Sequence, residues 1–125
     1  MSALRTKSKS KPEVGDERFL VEMIETVRVE AMARKAGWDG SDGLREFCEP
    51  DEAALYTEHA TLDEAVAAAR AWLATGASFY GCAIIDHQVY ETWHDDRGNA
   101  VKGASWEDCG AYEVTDDGDC VKVGG

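Results

Sequence analysis

The sequence predicts an α+β fold: an N-terminal helix, then strand, helix and two or three further strands, forming an antiparallel sheet packed on one face by helices. Three observations carry this. An apolar stripe at helical spacing occupies residues 16–37. A capped, alanine-rich helix follows at residues 61–76. The last third of the chain is rich in aromatic and β-branched residues broken by Asp/Gly turns, the signature of hairpin-linked strands.

The first element to justify is "DERFLVEMIETVRVEAMARKAG", residues 16–37. Asp16 is suited to cap a helix. Leu20, Ile24, Val27 and Ala31 recur at helical intervals, with Phe19 and Met23 beside them. Arg34 and Lys35 suit the negative end of the helix dipole, and Gly37 supplies the stop. The stripe Leu20, Ile24 and Val27 is also a candidate partner-binding face. Residues 38–52, "WDGSDGLREFCEPDE", form a loop. Its spaced acids Asp39 and Asp42 do not complete a calcium-loop pattern. Residues 53–60, "AALYTEHA", read as a short strand.

"TLDEAVAAARAWLATG" opens on Thr61 with Glu64 three residues later, a capping box. Leu62, Val66, Ala69 and Leu73 line one face, with Ala65 and Trp72 adjoining, and Gly76 closes the helix. Small residues on that face let a helix approach a sheet closely. The strand "FYGCAIIDHQVYETWH", residues 79–94, follows, then a turn at "HDDRGNA" and a strand at "VKGASWE". "AYEVT" and "CVKV" flank Asp116, Asp117, Gly118 and Asp119. A two-residue turn at Asp117-Gly118 sets Glu113 opposite Lys122, Val114 opposite Val121 and Tyr112 opposite Val123.

Cys82, His87 and His94 raise the question of a metal site. Strand alternation sends Cys82 and His87 to opposite faces, and His87 and His94 likewise. Cys82 and His94 share a face, but twelve residues at ~3.3 Å each separate them by roughly 40 Å. Zinc needs donors within ~2.0–2.3 Å of one point. The spacing therefore predicts no metal, and no cofactor motif is present: there is no P-loop, no G-x-G-x-x-G and no G-x-S-x-G. Asp86, Glu91, Asp95 and Asp96 offer paired carboxylates, but such pairs arise by chance among 25 acids. Trp72, Trp93, Trp106, Tyr80 and Tyr90 read as core. No catalytic residue is assigned. A small enzyme with a cleft at the sheet is retained as an alternative.

Charge narrows the function further. The 125 residues carry a net −12. Residues 1–11 hold Arg5, Lys7, Lys9 and Lys11 and no acid, leaving 9 basic against 25 acidic residues, a net −16. Residues 1–15 read as a disordered basic tail and 16–125 as one domain. The acidic body repels phosphate, so nucleic-acid binding through it is not expected. It attracts a basic protein surface. Asp95, Asp96, Asp116, Asp117 and Asp119, in turns flanking one sheet, are the candidate contacts. No run of about 18 apolar residues exists and no secretory signal is evident, so a cytoplasmic protein with four reduced cysteines is expected.

These readings describe a small acidic, non-catalytic protein-binding module, an accessory or inhibitor of the kind mobile elements encode. The ending "CVKVGG" resembles that of ubiquitin-like modifiers and sulfur carriers, whose free diglycine threads into an activating enzyme. That resemblance covers the last strand and implies a conjugation end at Gly124 and Gly125. The helix and strand placed before Thr61 depart from that family's order.

Overall fold

A computed structural model describes residues 11–124. The elements run β1 (Glu17–Met23), α1 (Thr26–Lys35), α2 (Leu44–Phe47), a 3-10 turn (Pro50–Ala53), β2 (Leu55–His59), α3 (Leu62–Leu73), β3 (Cys82–His94), β4 (Ala100–Thr115) and β5 (Cys120–Gly124). The five strands form one sheet in the order β2-β1-β3-β4-β5, with every neighbouring pair antiparallel. The architecture is α+β, as the sequence predicts.

The predicted N-terminal helix is the main correction. Residues 17–23 are a strand, and helix begins only at Thr26. The run Phe19–Ile24 is apolar enough to fit both periods. Phe19 and Val21 are buried on one face, while Arg18, Leu20 and Glu22 point to the other, a period of two. Pairing on both sides, with β2 and with β3, decides the matter. The end of α1 falls where the sequence places it: the Trp38 and Gly37 N–H groups donate to the carbonyls of Ala33 and Arg34 at 2.9 and 3.0 Å.

The chain upstream of β1 also differs from its reading. The Gly15 N–H donates to the Tyr90 carbonyl at 2.9 Å, so residues 13–16 form a turn held against β3. Residues 1–10 of the predicted tail lie outside the described residues, as does Gly125.

One core lies under α3. Ala65, Ala69 and Leu73 pack on Phe19, Val21, Ala83, Ile85 and Val114. The two alanines are fully buried, which is why the helix sits close to the sheet. Burying a side chain the size of Val or Ile contributes about 1.5–3 kcal/mol. Thr61 Oγ1 accepts the Glu64 N–H at 3.1 Å, the first half of the capping box. The Glu64 carboxylate reaches back to the Ala60 N–H at 3.3 Å, one residue before the cap. Arg70 donates to the Gly118 carbonyl and Trp72 to the Glu25 carboxylate, fastening the last turns of α3.

A second cluster gathers Ile24, Val29, Ala33, Cys48 and Ala53 between α1, α2 and the 3-10 turn. Ile24 continues the parity of Leu20 and Glu22, so this cluster sits on the side of the sheet away from α3, at one end. The helices therefore do not all pack on one face of the sheet, contrary to the prediction from the sequence.

The β4–β5 hairpin slips by one residue from its predicted register. Tyr112 pairs with Lys122, Glu113 with Val121 and Val114 with Cys120. The predicted two-residue turn needs positive φ at Asp117 as well as at Gly118. Among the described residues no non-glycine residue has positive φ, while Gly118 sits at 94°. The loop is instead three residues, Asp116–Gly118, closed by the Thr115 N–H donating to the Asp119 carbonyl and the Gly118 N–H donating to the Thr115 carbonyl, both at 2.9 Å. The β3–β4 turn, Asp96–Gly98, repeats this geometry between Asp95 and Asn99. Beyond it, the Trp93 ring lies flat on Gly103, leaving no room for a Cβ there.

Candidate functional site

The sheet face away from α3 presents aligned rows of side chains. One row crosses all five strands: Tyr56 on β2, Glu22 on β1, Ile84 on β3, Glu113 on β4 and Val121 on β5. The next holds Glu58, Leu20, Asp86 and Ala111. A third holds Arg18, Gln88 and Asp108, followed by Tyr90 opposite Trp106. Cys109 is the extra residue of a bulge between the second and third rows. Tyr56 and Val121 are 55% and 50% exposed, and Leu20, Ile84 and Asp86 are half-buried.

A polar ladder spans four strands of this face. Arg18 donates to the Glu58 carboxylate at 3.4 Å and to Gln88 Oε1 at 2.8 Å. Gln88 Nε2 donates to Asp108 at 2.8 Å. The Arg18 guanidinium lies over the Trp106 ring at 4.2 Å. In the first row the Tyr56 hydroxyl donates to Glu22 at 3.0 Å.

The electrostatics of the face run in one direction. Burial, then the charges of Asp108 and Glu22, push the Asp86 carboxyl above the usual carboxylate range. Burial, then a hydrogen bond to Glu113, raise the Cys82 thiol. Burial, then the hydrogen bond to Glu22, raise the Tyr56 hydroxyl. Each group is driven toward its neutral form by desolvation and by an excess of negative neighbours. A thiol so raised is not an activated nucleophile.

Two depressions open on this face. A hollow of about 210 Å³ is lined by Glu22, Ile24, Asp51, Tyr80, Cys82 and Ile84. A shallower trough of about 430 Å³ is lined by Asp86, Asp108, Cys109, Gly110 and Ala111. Among the described residues no group of three or more His, Cys, Asp or Glu is arranged to hold a metal ion.

The residues singled out from the sequence are dispersed. Asp95 and Asp96 lie in the β3–β4 turn, and Asp116, Asp117 and Asp119 at the β4–β5 turn. These are opposite ends of the 16-residue β4, roughly 50 Å apart at ~3.3 Å per residue. Asp95 accepts the backbone N–H groups of Arg97 and Asn99, both at 2.9 Å, which lowers its pKa. Asp117 accepts the Thr115 hydroxyl and the Asp119 N–H, with the same effect. Both carboxylates shape their turns, while Asp96, Asp116 and Asp119 are simply exposed.

Leu20, Ile24 and Val27 do not form a stripe. Leu20 lies on the open sheet face, Ile24 is buried in the second cluster, and Val27 is 67% exposed on α1. Gly124 closes β5, paired with Ala111. His87 Nε2 is 2.7 Å from the Glu17 carboxylate, and its ring stacks on Phe19 at 4.3 Å. Cys82 and His94 stand at the two ends of β3. The four cysteines are free.

Glu22, Tyr56 and Asp108 escaped the sequence reading, and Glu113 entered it only as the expected partner of Lys122, where the structure pairs it with Val121. The signal for them is alternation: acidic or polar residues recur at every second position along β1 to β4, in register with Leu20 and Ile84. Finding it requires knowing that residues 17–23 are a strand.

No family model, curated protein or solved structure matches this chain. No helix among the described residues is long and apolar enough to cross a membrane.

Proposed function

We propose that this chain is a non-catalytic protein-binding module that receives a basic protein surface on the open face of its sheet, acting as an accessory or inhibitor of that partner. The observation that carries this reading is the row Tyr56–Glu22–Ile84–Glu113–Val121, which α3 does not cover: its ends are exposed and its middle is half-buried beside the 3-10 turn. Five carboxylates stand on the face: Glu22, Glu58, Asp86, Asp108 and Glu113. Among the described residues of the sheet face one guanidinium, Arg18, opposes them, and Glu58 and Trp106 already hold it. Leu20, Ile84, Tyr56 and Val121 supply apolar area among these charges. Such a surface rewards a partner bearing Lys or Arg beside apolar groups, and its field steers the encounter.

The test is affinity capture from the native host with two charge-reversed chains, each first shown to fold by circular dichroism. Asp86→Lys with Glu113→Lys is expected to lose the protein that the unaltered chain captures. Asp96→Lys with Asp116→Lys and Asp119→Lys is expected to retain it. Capture should weaken between about 0.1 M and 1 M salt, as the Debye length falls from ~10 to ~3 Å. Retention by the face variant and loss by the turn variant would move the binding surface to the turns.

A further inference from the structure

We infer that the hollow between the sheet and the 3-10 turn is an anchor pocket for one long cationic side chain, lysine or arginine, of the partner. This rests on the open-face reading above and names the contact at its centre. The hollow lies where β1 leaves the sheet. Its floor is Ile84 and Ile24, and its volume of about 210 Å³ is well above the ~30 Å³ share of one water.

Two carboxylates stand at the rim from different elements, Glu22 on β1 and Asp51 in the 3-10 turn. Among the described residues the ion pairs are Arg18–Glu58 and His87–Glu17, so neither rim carboxylate has a cationic partner. The walls are preorganised. The Tyr56 hydroxyl holds Glu22, and Pro50, fully buried, seats the turn that carries Asp51. Tyr80 is set edge-on to Phe79 at 5.0 Å and accepts a hydrogen bond from Arg45 at 3.3 Å. Cys82, its thiol raised by burial and by Glu113, adds no charge.

An apolar floor below an acidic rim matches a side chain whose methylene stem buries while its charged head stays near water. An apolar side chain would leave the rim charges unanswered. An acidic one would be repelled by both.

The test is a 15N-labelled titration at low salt with three blocked tripeptides, acetyl-Ala-X-Ala-amide, where X is arginine, lysine or norleucine. The arginine and lysine peptides are expected to shift the amides of Ile24, Tyr80, Cys82 and Ile84, saturating near millimolar. Norleucine should leave them in place. Asp51→Asn and Glu22→Gln should each weaken binding about two- to fivefold, the range of one exposed ion pair. Asp51 lies in an exposed turn, so its variant tests the pocket even if the Glu22 variant perturbs the sheet. Equal shifts with norleucine would overturn the cationic anchor. Shifts confined to the Asp86–Asp108 trough would overturn the pocket while leaving the open-face reading intact. Shifts only at residues 95–99 and 116–119, or none at all, would overturn both.

Discussion

Ile84 and Ile85 are neighbours in β3, yet they belong to different parts of the molecule. Ile85 is fully buried in the core beneath α3, in line with Val21 and Tyr112. Ile84 faces the open side, in line with Glu22 and Glu113. The packed face has Phe19, Val21, Ala83, Ile85 and Val114 under an alanine-rich helix. The open face mixes Leu20 and Ile84 with carboxylates, and burial first, then those acidic neighbours, push Asp86 and Cys82 toward neutrality. The contrast separates a face packed under α3 from one whose half-buried Leu20 and Ile84 stand among carboxylates, the face on which the proposed function rests.

The comparison can be broken most directly at the two isoleucines. Ile85→Ala is expected to cost about 2–5 kcal/mol, the transfer term plus the cavity left under α3. Ile84→Ala should cost about 1 kcal/mol or less, because its site is half open. Urea denaturation of both variants measures the difference. Equal losses would mean that the open face is packed as tightly as the other.

Loosening the cover of the packed face should have a smaller effect. Thr61→Ala removes the hydroxyl that accepts the Glu64 N–H and is expected to cost about 1 kcal/mol. Thermal unfolding would report it as a fall in Tm. No change would mean that the Ala60–Glu64 contact holds the helix start unaided.

The smallest effect sharpens the electrostatic side. Asp86 has a folded pKa raised above its ordinary value, so the folded state holds its proton more tightly than the unfolded one. Its contribution to stability is therefore fully present below the unfolded pKa and is lost as pH rises through the folded pKa. Asp86→Asn removes the penalty. The variant should melt slightly higher than the parent at pH 7, and the gap should close near pH 3. A gap that widens on acidification would mean that Asp86 is stabilised as a carboxylate, contrary to its placement between Glu22 and Asp108.

Much of the molecule was written locally. Thr61, Glu64 and the run of alanines specify α3, because a cap and an apolar stripe need only the residues of one helix. Gly37 ends α1 for the same reason. Gly98 and Gly118, each in an acidic turn, mark the hairpins of β3, β4 and β5, since a left-handed position is a property of the residue that occupies it. The acidity of the body was legible by counting.

What the tertiary structure decided depends on partners distant in sequence. Residues 17–23 carry an apolar run compatible with either period, and pairing with β2, some thirty-five residues on, and β3, about seventy on, makes it a strand. The β4–β5 register turned on whether the loop took two residues or three, which Asp117 settles by avoiding positive φ. The open face follows from both. Only once β1 lies between β2 and β3 do Tyr56, Glu22, Ile84, Glu113 and Val121 fall into one row. Strand alternation sets which side of its own backbone each of them takes, but a row across five strands exists only after their hydrogen bonds have fixed the register.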